Sequence, residues 1–191
     1  AAGQAKRMGL LKQLLPWDGK TIIEQVVDCV ADAGLAEIVV VVGYRAEEVS
    51  QRLAGKPVKI VNNPDYRKGI SSSLVFGLSS LDRGCQGIMV VLGDQPTLEA
   101  ATLRRLVGAF SKRSAITIPV YKGQQGHPVI FPARYLSYIM ALTGDKGARP
   151  VIDAHPEDVV FVEVSTDSVI RDVDNREDYE SLRSREPPNS P

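Results

Sequence analysis

The sequence predicts an α/β fold in which helices cover a mostly parallel central sheet, and three observations carry that expectation. The apolar run at 37–43 ends in glycine, that at 87–92 is followed by one, and neither shows polar alternation, the pattern of buried strands, the first of them buried on both faces. Between and after them lie segments with apolar residues three and four apart, the spacing of amphipathic helices. The length of 191 residues suits one well-buried domain and is short for two.

In chain order, 1–16 comes first: Ala1-Ala2-Gly3 followed by Lys6, Arg7, Gly9 and Lys12, closed by Leu14-Leu15-Pro16. Small residues let a backbone bring its N–H groups close to an anion, and cations along the same loop add charge-assisted bonds to phosphate oxygens. The plain alternative is a basic, solvated arm. Against it, the loop runs directly into an apolar segment and a helix. No G-x-x-x-x-G-K-[ST] is present, so this is not a P-loop.

Residues 20–33 read as a helix, with Ile22, Ile23, Val26, Val27 and Val30 on its apolar side and Gly34 as its stop. The 37–43 strand, a short helix over 46–53 and a short strand over 58–61 follow. The loop Asn62-Asn63-Pro64-Asp65-Tyr66-Arg67-Lys68-Gly69-Ile70 then leads through Ser71-Ser72-Ser73 into a helix ending near Leu81. Serines at a helix start ordinarily cap it. Three in a row after a glycine also offer hydroxyls and free N–H groups to the edge of a nucleobase.

The 87–92 strand ends in Gly93-Asp94-Gln95-Pro96. An aspartate just past the C-terminal end of a parallel strand lies where open α/β sheets bind ligands. Alone, Asp94 reads as a cap for the helix expected over 97–112. Beside a triphosphate loop it reads as a ligand of Mg²⁺, which takes one or two carboxylates and keeps several waters.

A strand is expected over 115–120, and Tyr121 to Phe131, with Gly126 and His127 in it, reads as a turn into a second strand. A lone histidine is more often a structural hydrogen-bonding residue than a catalyst. A helix over 133–142 precedes the glycine-broken stretch Thr143-Gly144-Asp145-Lys146-Gly147-Ala148-Arg149-Pro150, read as an exposed loop. Strands are expected over 159–164 and 169–172. Asp172 and Asp174 then lie two apart, on one side of an extended segment. They read either as completing a metal site with Asp94 or as a solvated start to the helix beginning near Asn175. The chain is expected to form one domain over 1–183, with a disordered tail over 184–191.

Composition narrows the function. The 23 basic and 23 acidic residues cancel, which argues against a nucleic-acid footprint or a polybasic membrane patch. No apolar run approaches the roughly 20 residues that span a bilayer, and no signal peptide is visible, so a cytoplasmic protein is expected. Cys29 and Cys85, both in apolar surroundings, read as free thiols. No G-x-G-x-x-G follows a strand, which argues against a dinucleotide-binding dehydrogenase domain.

The opening A-A-G-x-x-x-R-M-G-x-x-K-x-L-L-P resembles the signature loop of small nucleotidyltransferases with a three-layer, Rossmann-like (GT-A-like) nucleotide-diphospho-sugar transferase fold. G-D-Q-P, G-H-P-V-I-F and above all G-D-K-G-A-R are similar to motifs of the molybdenum cofactor cytidylyltransferase group within it. The resemblance covers Ala1 to about Tyr179. It implies a hydrophobic strand ahead of the loop, whereas the sequence given begins at Ala1. It implies that Ala1, Ala2 and Gly3 approach the nucleotide and that Arg7 and Lys12 hold its phosphates. Gly69 and Ser73 would take part in base recognition, and Asp94 and Asp174 would ligate Mg²⁺, with Asp172 in reserve. Gly126, His127, Asp145 and Arg149 would face the acceptor. The implied catalytic set is Arg7, Lys12 and Asp94.

The activity so implied is transfer of CMP from CTP to a molybdopterin-type acceptor, with a molybdoenzyme or its maturation factor as a further partner. CTP is favoured because Ala2 stands where guanylyl relatives tend to carry glycine. The alternatives are a guanylyltransferase on the same acceptor, a sugar- or polyol-phosphate nucleotidyltransferase, or a non-catalytic nucleotide- or cofactor-binding chaperone.

Overall fold

The computed structural model describes residues 11–82 and 84–184. A 3-10 turn, Lys12–Leu14, opens the described chain and leads into a hairpin of β1 (Pro16–Trp17) and β2 (Lys20–Thr21). Asp18-Gly19 forms its turn, with both residues at positive φ, a setting that favours Asp-Gly. Thr21 then caps α1 (Ile22–Asp32) in a reciprocal box: its hydroxyl accepts from the Glu24 N–H, and the Glu24 carboxylate accepts from the Thr21 N–H. The helix buries two stripes. Ile22, Val26, Cys29 and Val30 join Trp17, Leu98 and Leu103 in one core cluster. Ile23 and Val27 join Leu11, Val40, Val42, Val49 and Leu53 in another.

Next, β3 (Val39–Val42) pairs in parallel with β4 (Lys59–Asn62) around α2 (Ala46–Arg52). Along β3 only Val40 and Val42 are fully buried; Val39 and Val41 are half-buried, where burial on both faces was expected. Then come α3 (Ile70–Ser79), β5 (Gly87–Val90) and α4 (Ala100–Lys112), followed by β6 (Ile116–Tyr121), β7 (Gln124–Gln125) and β8 (Val129–Pro132). After a 3-10 turn at Ala133–Tyr135 come α5 (Leu136–Met140), α6 (Arg149–Ala154), β9 (Val159–Glu163) and α7 (Arg176–Arg183).

The larger sheet is mixed. β6 and β9 run parallel, while β8 is antiparallel to both β5 and β6. Its side chains alternate between two helical layers, as the two-residue strand period requires. Val129 and Phe131 pack with Ile139 and Val151 of α5 and α6, with Leu74 and Leu78 of α3 against them. Ile130 packs the other way, with Leu106 and Phe110 of α4. The result is the expected α/β arrangement, helix on sheet on helix.

One expected strand is absent. Residues 169–172 were expected to be extended, but Asp167–Ile170 form a 3-10 turn capped by Thr166, whose hydroxyl accepts from the Ser168 N–H. The Val169 carbonyl is then taken by tertiary donors, the His127 N–H at 2.8 Å and the Gln95 side chain at 3.3 Å, so no sheet ladder claims it. The loop read over 143–150 likewise ends early, because α6 starts at Arg149 with Pro150 in its first turn.

Leu106 is fully buried between α4 and β8. Leu106→Ala is expected to cost about 2–5 kcal/mol, the range for a truncated core leucine. Urea unfolding followed by circular dichroism measures it.

Candidate active site

The site forms around the Lys12 ammonium. Leu11, 2% exposed, is buried in the cluster beneath α1 and fixes the start of the 3-10 turn that carries Lys12. The Lys12 Nζ lies 2.5 Å from Asp94 Oδ2 and 3.0 Å from Asp174 Oδ1. One lysine thus bridges the two carboxylates read from sequence as a metal pair, from positions 80 apart in the chain.

Their convergence has identifiable causes. The Val173 N–H donates to the Asp94 carbonyl at 2.9 Å, and the buried Gln95 amide donates to the Val169 carbonyl. Those two bonds tie the turn after β5 to the 169–174 segment. From the other side, Asn175 caps α7 in a reciprocal box with Asp178, and the Tyr179 hydroxyl donates to the Pro16 carbonyl at 2.5 Å. The Tyr179 ring also packs on Trp17, with centroids 6.2 Å apart. Gln95 was not singled out from the sequence. Only its place inside G-D-Q-P pointed to it.

The charges respond to this crowding. Burial works against the Lys12 charge, but Asp94 and Asp174 outweigh it and hold its pKa above the ordinary 10.5. Asp172 is pushed above the usual carboxylate range, by burial first and then by repulsion from Asp174 and Asp94. Asp172 therefore belongs to the same anionic cluster. Asp94 Oδ1 is buried and has no hydrogen-bond partner among the described residues. An acceptor left in that state costs free energy until something donates to it or a cation binds it.

The loop before α3 is held by a buried side chain. Asn63, fully buried, donates to the hydroxyls of Ser72 at 3.0 Å and Ser73 at 3.1 Å, while its carbonyl oxygen accepts from the Asp65 N–H at 2.9 Å. Asn63 is a second positioning residue that went unnoticed; an asparagine before proline suggests a turn, not a buried bracket. Gly69 has φ 108°, and a Cβ there would sit 2.4 Å from the Gly144 carbonyl oxygen. Only glycine permits that approach.

The four expected acceptor residues line one pocket of about 340 Å³ with Ile70, Leu74, Leu92 and Ile118. Their roles differ. Gly126 is there for packing, since a Cβ would lie 2.3 Å from the Val169 carbonyl oxygen. The His127 Nδ1 is buried without a partner among the described residues. Arg149 pairs with Asp153 at 2.7 Å and reaches the Gln125 side chain at 3.3 Å. Asp145 accepts from the Ile70 N–H at 3.0 Å, at the start of α3. Ala1, Ala2, Gly3 and Arg7 lie outside the described residues.

An ammonium held between two carboxylates, one of them in the turn after β5 of an α/β fold, is an arrangement suited to a ligand that carries phosphate and metal. The chain matches the family model of the MobA-like NTP transferase domain over residues 1–159, and it belongs to that family of nucleotidyltransferase enzymes. A molybdenum cofactor cytidylyltransferase from Escherichia coli is 26% identical to it, over 97% of this chain and 93% of its own length. A nicotine blue oxidoreductase from Paenarthrobacter nicotinovorans is 32% identical, over 93% and 90%. The crystal structure of Rv0371c from Mycobacterium tuberculosis in complex with manganese superposes with a TM-score of 0.83 at 28% identity, over 97% and 95%. Among the described residues no helix is long and apolar enough to cross a membrane.

Burial holds the His127 imidazole below its ordinary pKa of 6.5, with Asp94 and the Val90 carbonyl opposing the shift only in part. Between the lowered folded value and 6.5 the unfolded chain binds more protons. Stability is therefore retained above about pH 6.5 and lost as pH falls toward the folded pKa. An NMR titration of the His127 ring is expected to give a midpoint under 6.5, and His127→Gln is expected to flatten the pH dependence of urea stability across that window.

Proposed function

We propose that this nucleotidyltransferase transfers CMP from CTP to a molybdopterin-type acceptor and releases pyrophosphate. The observation that carries the reading is the Lys12 ammonium held between Asp94 and Asp174. Such a pair suits Mg²⁺, which binds through one or two carboxylates and completes its shell with water and substrate phosphates. The unpartnered Asp94 Oδ1 fits that requirement, as does the convergence of both carboxylates on one cation. The manganese complex of Rv0371c supports a divalent ion in this fold. Asp94 and Asp174 would hold the ion, which would supply neutralisation of charge on the triphosphate.

The chain's own residues do the rest. Lys12, already bracketed by the two carboxylates, meets the phosphates as a positive charge, and Arg7, five positions earlier in the sequence, would add a second. Gly69 and Ser73 present the α3 start to the base, while Gly126, His127 and Arg149 face the acceptor within the pocket. A phosphate oxygen of the acceptor attacks the α-phosphorus, and the bond to the pyrophosphate oxygen breaks. A phosphate monoester is already anionic near neutral pH, so the step needs positioning and charge stabilisation more than a base. Burial that keeps His127 neutral accords with that division of labour.

The Escherichia coli relative supports the cofactor acceptor, and Ala2 supports the smaller base. A redox reading rests on the Paenarthrobacter relative, an oxidoreductase by name.

Pyrophosphate release from CTP or GTP with Mg²⁺ and purified molybdopterin tests the proposal. CTP is expected to be the preferred donor, and Asp94→Ala to lower kcat by about 10²-fold or more, as loss of a charge-stabilising group does. GTP preference would move the protein to guanylyl transfer. Reduction of a dye by an added reductant, without pyrophosphate release, would favour the redox reading.

A further inference from the structure

We propose that Asp145 is a positioning residue for the nucleotide, acting through the first turn of α3. The inference rests on the nucleotidyltransfer reading and gives Asp145 a task beyond the acceptor contact expected of it.

The first N–H groups of any helix lack partners inside it and need a cap. The N-cap of α3 is Gly69, which has no side chain to offer, and α3 has no side-chain cap of its own. Its cap comes from the 143–148 stretch, more than 70 residues along the chain. The Asp145 carboxylate accepts from the Ile70 N–H at 3.0 Å, and the Gly144 carbonyl accepts from the Ser71 N–H at 3.2 Å. Close approach at Gly69 makes both bonds possible, because any side chain there would strike the Gly144 carbonyl. A carboxylate at that end also faces the positive pole of the helix.

The turn held in this way is the one that would read the base. Asn63 fixes the Ser72 and Ser73 hydroxyls from one side, and Asp145 fixes the backbone from the other. Asp145 also lines the pocket, together with Ile70 and Leu74 of the same helix. One carboxylate therefore joins the wall of the acceptor pocket to the turn that meets the nucleotide. A turn ordered in advance spares the ligand the cost of ordering it.

The test compares the whole chain with its Asp145→Ala and Asp145→Asn variants in calorimetric titrations of CTP and GTP with Mg²⁺, no acceptor being present. Amide hydrogen exchange over 69–73 is measured on the same samples. Asp145→Ala is expected to weaken affinity for the preferred triphosphate by about three- to thirtyfold, the span a lost cap commands. It should also speed exchange at Ile70 and Ser71. Asp145→Asn keeps an acceptor oxygen and is expected to stay within about threefold of the wild type. Asp94→Ala should weaken binding but leave exchange at 69–73 unchanged, which separates loss of the metal pair from loss of the latch.

Unchanged triphosphate affinity in Asp145→Ala would overturn the proposal and leave nucleotidyl transfer standing. So would an Asn variant as weak as the Ala variant, since the hydrogen bond would then not be what acts. A wild type that binds no triphosphate would sink both readings.

Discussion

Two carboxylates and one ammonium set the terms for this molecule. Asp94 and Asp174 both lie within 3.0 Å of the Lys12 Nζ. Bringing two aspartates to one point is unfavourable without a cation between them; nearby Asp172 is pushed above the usual carboxylate range by burial first and then by repulsion from Asp174 and Asp94. The fold sustains the arrangement from three directions. Leu11 seats the lysine turn, Gln95 and the Val173 N–H anchor the turn after β5, and the capped start of α7 presents Asp174. Since Tyr179 of α7 also packs on Trp17 and donates to the Pro16 carbonyl, α7 is fastened to the hairpin that follows Lys12 in the chain.

The Val169 carbonyl is the second organising point. It accepts from the His127 N–H and from Gln95, and Gly126 packs against it without a Cβ. The pocket that Gly126 and His127 line and the turn that carries Asp94 thus share one backbone oxygen.

Much of this was legible from sequence wherever the signal was local. The 3.6-residue period of α1 and the valine run of β3 gave elements close to the observed bounds. Asp94 and Asp174 were read through position and resemblance, and they meet at Lys12. Other features were hidden because their causes lie far away in the chain. Val169-Ile170 has the composition of a strand, yet its carbonyl is claimed by Gln95 and His127, so it turns. Asp145 sits in a stretch that reads as an exposed loop, and its partner lies 75 residues earlier. Asn63 looks like a turn residue, and nothing local signals that it is fully buried or that it brackets two serines. Pairing direction was only partly visible: apolar runs indicate burial, whereas β8 lies antiparallel to both its neighbours.

We read the Asp94–Asp174 pair as a cation site in which Lys12 stands until a metal–triphosphate complex arrives. Manganese binding followed by electron paramagnetic resonance, on the wild type and on Lys12→Met, tests this most directly. With the ammonium removed, the two carboxylates should bind Mn²⁺ alone more tightly than the wild type does, while affinity for Mn²⁺ with CTP should fall. Equal Mn²⁺ affinity in the two proteins, with no loss when Asp94 is changed to alanine, would contradict the account.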